Sequence, residues 1–175
     1  MLAFYNALCG EAIPAEDTPR LSVDADESAA VLAALGLQRG AYYVFAPGAE
    51  YGPAKRWPSS RFAELALSLD APVVLLGSGK EQVLCEEIAA PVNAQRPGAA
   101  LNLAGKTSLA HAFMAIEASK NCVSNDSGLM HVADAFRVPI VAIFGPTDPS
   151  ATSPFSPEHA LIRKPVFCSP CFLRD

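Results

Sequence analysis

Five times between Ala41 and Thr147 the chain repeats one pattern: a short β-prone apolar run, a polar loop carrying glycine, and then a stretch with helical spacing. The runs are Tyr42–Ala46, Pro72–Leu76, Ala100–Leu103, Asn121–Ser124 and Pro139–Phe144. The first four lead into helical patterns such as Arg61–Leu69, where Phe62, Leu65, Ala66 and Leu69 fall on one face, and Leu109–Ala118, which Thr107 or Ser108 can cap. Strands alternating with helices predict a parallel sheet, because parallel neighbours need crossovers and the crossovers here are helical. Near-continuous apolar runs predict a sheet covered on both faces. The expected fold is therefore a doubly wound α/β domain. Its loops at Pro47, Gly77, Asn125 and Gly145 gather on the rim formed by the carboxyl ends of the strands, where ligands of such sheets bind.

The flanking regions break the pattern. Before Ala41, a short helical fragment at Leu2–Leu8 is followed by Pro14, Pro19 and an acidic run at Asp24, Asp26 and Glu27. Glu27–Leu37 then reads as a helix stopped by Gly36. Residues 1–40 are expected to be a linker and a first helix, and residues 41–175 the domain proper. After Gly145 come six prolines, Pro146, Pro149, Pro154, Pro157, Pro165 and Pro170, interrupted by the strand-like His159–Arg163. Such density predicts an ordered surface loop and one last strand, since proline interrupts helix interiors. No closing helix follows, so the domain is expected to be truncated at its C-terminal end.

Composition narrows the function classes. At 175 residues and 51% hydrophobic content the chain suffices for one domain with a substantial core. Thirteen basic against eighteen acidic residues give a net charge of -5, which disfavours general nucleic-acid binding driven by counterion release. With no apolar run of membrane-spanning length and no leader pattern, a soluble cytoplasmic protein is expected. The five cysteines, Cys9, Cys85, Cys122, Cys168 and Cys171, do not suggest a disulfide framework. Cys168 and Cys171 form half of a zinc pattern, and the chain contains no second pair, so no metal and no cofactor is expected.

Ser124-Asn-Asp-Ser-Gly-Leu-Met-His131 joins the fourth run to its helix. A helix start leaves backbone N–H groups unpaired at the positive end of the helix dipole, a suitable place for an anion. Ser127 offers a hydroxyl, Gly128 an approach to the backbone unobstructed by Cβ, and His131 a third donor one turn on. Asp126 suits a sugar hydroxyl or a helix cap better than a phosphate. The plainer alternative is that Asp126 or Ser127 only caps a buried helix and His131 is a satisfied half-core histidine. Lys55 and Arg56 leave the first strand beside Trp57 and are either a diphosphate clamp or two solvated cations. Gly77-Ser-Gly-Lys80 has neither the Walker nor the dinucleotide spacing, leaving Lys80 or Glu81 to touch a ribose or base edge, or simply to make a turn. Gly105-Lys-Thr107 lacks the upstream glycine of a Walker motif, and no nucleophile elbow is present.

Three stretches, Pro47–Pro58, Asn102–Thr107 and Ser124–Ala133, closely resemble the heptosyltransferases of glycosyltransferase family 9. The resemblance runs from about Ala41 to the end and implies the GT-B architecture, two Rossmann-like domains facing a cleft. This chain corresponds to the C-terminal, nucleotide-sugar-binding half. By matching position, Lys55 lies near the donor phosphates, and its neighbour Arg56 is a further donor-binding candidate. Asp126, Ser127, Gly128 and His131 contact the diphosphate and sugar, Glu81 is the candidate ribose carboxylate, and Thr147 lines the same rim. The implied reaction is metal-independent, inverting transfer of L-glycero-D-manno-heptose from ADP-heptose to the first heptose of the lipopolysaccharide inner core. The base and the acceptor contacts are expected in an N-terminal domain absent here, with peripheral contact to the inner membrane, so the chain alone should bind donor without turnover. The alternatives are another family 9 transferase with a different donor or acceptor, and a non-catalytic nucleotide-binding module.

Overall fold

The computed structural model describes residues 20–50, 52–164 and 166–172, so the expectations at Leu2–Leu8, Cys9, Pro14, Pro19 and Pro165 lie outside the described residues. Six strands form one sheet, all parallel: β1 (Tyr43–Ala46), β2 (Val73–Leu75), β3 (Ala100–Asn102), β4 (Asn121–Asn125), β5 (Ile140–Phe144) and β6 (His159–Arg163). Their order in space is β3-β2-β1-β4-β5-β6. The chain builds outward from β1 to β3, then returns to the other side of β1 with β4. Connections therefore leave β1 and β4 in opposite directions, opening a crevice at their carboxyl ends.

Alternate side chains along each strand enter opposite layers. On one face Val44, Val74, Cys122, Ile140, Ala142 and Phe144 pack with helices α1 (Ala25–Ala34), α4 (Leu109–Glu117) and α5 (Gly128–Ala135). On the other face Phe45, Val73, Leu75 and Val123 meet α2 (Ser59–Ser68) and α3 (Gln82–Gln95). Phe62 of α2 anchors this second layer, its ring 5.5 Å from Phe45 and 5.0 Å from Trp57. Both faces are thus covered, the arrangement expected from the apolar strand pattern.

Helix α1 starts two residues before its predicted position because the Asp24 side chain accepts the Glu27 amide, with Asp26 and Glu27 in the first turn favouring the helix dipole. It stops at Leu35 because Gly36 takes φ +69°, a left-handed conformation that a Cβ disfavours. Leu32 is buried in the first core layer, and Arg39 pairs with Glu117 of α4 at 2.6 Å. The helix therefore packs against the same core as the strands that follow it.

The proline-rich stretch contains one element the sequence did not reveal, a single helical turn α6 (Pro149–Thr152) capped by Asp148. Proline is tolerated there because it occupies the first turn, where its missing N–H has no intrahelical partner. Asp134, 5% exposed, fixes the next loop by accepting the amides of Phe155 and Ser156 at 2.7 and 2.8 Å. Strand β6 then covers the outer edge of β5 over the predicted residues. Among the described residues no helix is long and apolar enough to cross a membrane.

Candidate functional site

The crevice between β1 and β4 is stitched by Asn125, the last residue of β4. Its fully buried amide donates to Pro47 O at 2.7 Å and accepts Trp57 N at 3.1 Å. One side chain thereby fixes the loop leaving β1 at two points. The sequence placed Asn125 on the rim but not in this bridging role, whose signal is an amide, with both donor and acceptor, at the end of a buried strand.

The next residue organises the charge. Asp126, 7% exposed, accepts through Oδ2 from Lys55 Nζ and from Thr147 Oγ1, both at 2.7 Å. The predicted Lys55, Asp126 and Thr147 thus converge from the loops after β1, β4 and β5. Of the two roles anticipated for Asp126, helix capping is not observed, because its carboxylate turns toward Lys55 and its amide donates to Ile143 O. The carboxylate aims the ammonium of Lys55 while offsetting part of its charge. Gly145 admits this loop closely: a Cβ there would lie 2.8 Å from Ala54 O.

Helix α5 begins immediately after. Ser127 occupies the cap position, yet its side chain makes no cap hydrogen bond. The amides of Ser127, Gly128 and Leu129 have no hydrogen-bond acceptor among the described residues. Three consecutive donors are therefore available at the positive end of the helix. Gly128 is exposed, and a Cβ built on it meets nothing within 4 Å. The Ser127 hydroxyl is committed inward: Ser124 Oγ spends its proton on Asn125 O at 2.7 Å, so in the 3.0 Å contact Ser127 must donate to Ser124. What Ser127 presents outward from this rotamer is acceptor capacity and its amide.

A cavity of about 540 Å³ opens beside these amides, within the usual range of small-molecule sites. Ser127, Gly128 and Glu81 line it with Gly48, and Leu109, Phe113, Leu129 and Val132 of α4 and α5 supply an apolar wall. That wall was missed because those positions read simply as helix faces. Glu81 Oε2 accepts the Ser78 amide at 2.6 Å and the Ser78 hydroxyl, closing a capping box. Its side chain leans across the loops after β1 and β2. A Cβ on Gly48 would lie 2.8 Å from Glu81 Cγ, and one on Gly77 would lie 2.8 Å from Glu81 Cβ. These glycines make room for a carboxylate; they do not form a phosphate loop.

The remaining predicted residues stand apart from both groups. Arg56, an exposed residue, donates to Ala49 O at 3.4 Å. His131 is exposed on α5 and does not line the cavity, so it is not the satisfied core histidine of the plainer alternative. Lys80 reaches Glu50 at 3.6 Å with both side chains largely in solvent, where such a pair contributes little.

Comparison with known proteins identifies relatives of the chain and of its fold. Lipopolysaccharide heptosyltransferase 2 of Salmonella typhimurium is 48% identical over 122 residues, covering 68% of this chain and 35% of that protein. Lipooligosaccharide heptosyltransferase 2 of Haemophilus ducreyi is 39% identical, covering 93% of this chain and 52% of its own length. The solved structure of Escherichia coli ADP-heptose lps heptosyltransferase II superposes with a TM-score of 0.81 at 40% identity, over 90% of this chain and 49% of that one. The chain spans between about a third and a half of the length of these relatives. The family profile described as glycosyltransferase family 9 (heptosyltransferase) matches residues 3–175, and the chain belongs to that family.

Proposed function

We propose that this chain is the donor-binding half of a heptosyltransferase II, with residues from Ala41 onward forming the binding unit. The whole enzyme transfers L-glycero-D-manno-heptose from ADP-heptose, with inversion, to the first heptose of the lipopolysaccharide inner core. The observation that carries this assignment is the row of unspent amides at Ser127, Gly128 and Leu129, flanked by an open cavity and by the Lys55–Asp126–Thr147 cluster. The nucleoside occupies the cavity against Leu109, Phe113, Leu129 and Val132, with Glu81 meeting the ribose. The diphosphate crosses the amides of α5 toward Lys55, with Arg56 as an outer cation, His131 as an outer hydrogen-bond donor and Asp126 Oδ1 left for a sugar hydroxyl. Fixed donors of this kind stabilise the charge that grows on departing ADP. The base that deprotonates the acceptor hydroxyl, and the acceptor contacts themselves, belong to another domain. The acceptor's lipid anchor brings the whole enzyme to the cytoplasmic face of the inner membrane as a peripheral protein.

Calorimetry with ADP-heptose, ADP and a UDP-sugar tests the assignment. The chain should bind the two adenine ligands and reject the UDP-sugar, and it should transfer no labelled heptose to a heptosylated acceptor by itself. Equal binding of the UDP-sugar, or no binding of ADP-heptose, would overturn it.

A further inference from the structure

Thr147 stands at the edge of the donor site without lining the cavity. It is 7% exposed, and its hydroxyl donates to Asp126 Oδ2 at 2.7 Å. That proton is spent inside the protein, so Thr147 has none to offer a ligand, and its effect passes through Asp126. Asp126 lies two residues before Gly128, where α5 begins. A carboxylate at that spacing ordinarily turns back and accepts the amide two residues on, closing an Asx turn. Ser127, at the cap position, would ordinarily accept an amide of the first turn as well. Asp24, Ser108 and Asp148 cap their own helices in this way. Asp126 and Ser127 do not. The Asp126 carboxylate is drawn off by Lys55 Nζ and Thr147 Oγ1, both at 2.7 Å, and the Ser127 hydroxyl contacts Ser124 Oγ at 3.0 Å. Both local caps are diverted by partners from elsewhere in the fold, and the first amides of α5 stay open as a result.

We infer that Thr147 is a positioning residue of the donor site: it holds the Asp126 carboxylate away from the α5 amides that receive the diphosphate. The inference rests on the donor-binding reading above. Lys55 does not suffice for this task, because its ammonium is shared with the incoming diphosphate. As it turns to a phosphate oxygen, its hold on Asp126 weakens. Thr147 is neutral, buried and on a separate loop, so its hydrogen bond stays in place while Lys55 is engaged. Released from Thr147, the carboxylate swings onto the Gly128 amide, takes a donor that the diphosphate needs and sets a negative charge beside it. The helix start is then capped, and the site is closed by its own residue.

Calorimetry with ADP-heptose, joined to hydrogen exchange at the Gly128 amide of the ligand-free chain, is the test. Thr147→Val keeps the shape of the side chain and removes its hydroxyl. It should bind ADP-heptose about tenfold more weakly, and its Gly128 amide, having gained an acceptor, should exchange about tenfold more slowly than in the unaltered chain. Thr147→Ser, which keeps the hydroxyl, should match the unaltered chain in both. The exchange result separates positioning from structural support, since a loosened loop would speed exchange at the same amide. Thr147→Ala takes the place of the valine variant if that one does not fold. Unchanged affinity in the hydroxyl-free variant, or weaker binding with Gly128 exchange unchanged or faster, would overturn the inference. If the unaltered chain binds no ADP-heptose, the donor-binding reading fails by itself. Slower Gly128 exchange in the variant then still upholds the hold of Thr147 on Asp126, and unslowed exchange overturns it.

Discussion

Lys55 and Asp126 are 71 positions apart in sequence and share a contact of 2.7 Å, with side chains 15% and 7% exposed. Truncating Lys55 leaves the mostly buried Asp126 carboxylate without its ammonium. Lys55→Ala should cost about 2–4 kcal/mol in urea unfolding, toward the lower side of a fully buried pair because some solvent reaches the ammonium. Lys55→Ala with Asp126→Asn should recover much of that stability, because no unpaired charge remains. Affinity for ADP-heptose should fall about 10–100-fold in both variants, measured by calorimetry, since a charged hydrogen bond to the diphosphate is lost in each. If the double variant regains binding along with stability, Lys55 is a structural cation only. Gly128 separates folding from binding in the opposite way. Because a Cβ there meets nothing within 4 Å, Gly128→Val should leave the melting temperature nearly unchanged while placing methyl groups where the ligand approaches. Loss of ADP-heptose binding with an intact melting curve is the expected result.

The loops after β1 and β2 are coupled through Glu81, and the two glycines beneath it should respond differently. At Gly48 an added methyl meets Cγ and Cδ, the distal part of a flexible chain that can swing away. At Gly77 it meets Cβ, which moves only with the backbone. Gly77→Ala should therefore be the more destabilising, by about 1–3 kcal/mol against about 1 kcal/mol or less for Gly48→Ala, from denaturant melts of each. Both displace the carboxylate that closes the Ser78 capping box, so both should weaken nucleotide binding. Much at this scale was legible beforehand. The Ser108 cap of α4 and the Gly36 stop of α1 rest on chemistry within a few residues, which the sequence displays directly. The Asp148-capped turn α6 was obscured because proline density argued against helices in general, whereas only the first turn was at issue.

For the molecule as a whole, core burial sets its response to alkali. The thiols of Cys85 and Cys122 are pushed up to about 12, chiefly by desolvation and, for Cys85, also by Glu81 and Glu86. Burial likewise raises the Tyr42 phenol, whose hydroxyl donates to Ala115 O at 2.7 Å. Above the ordinary thiol range the unfolded chain loses protons that the native state retains, so stability falls with rising pH. The contribution is fully present below pH about 9 and is lost progressively as pH climbs toward about 12, on the order of 1.4 kcal/mol per unit for each thiol. Thermal melts from pH 7 to 11 should show a plateau followed by a steep decline above 9. A flat profile would mean that these side chains are not sealed in the native state.

Taken by itself, the order of residues determined the doubly wound class, the parallel strands and the rim on which polar loops gather. Each follows from periodicity and turn chemistry acting between near neighbours along the chain. Which side chains meet on that rim was decided only in three dimensions. Asp126 reaches back to Lys55 and forward to Thr147, Asn125 holds Pro47 across 78 positions, and the helix faces of α4 and α5 turn out to wall a cavity. Those meetings depend on the β3-β2-β1-β4-β5-β6 order, and no local pattern records which strands become neighbours, because every parallel strand with two apolar faces offers the same edges.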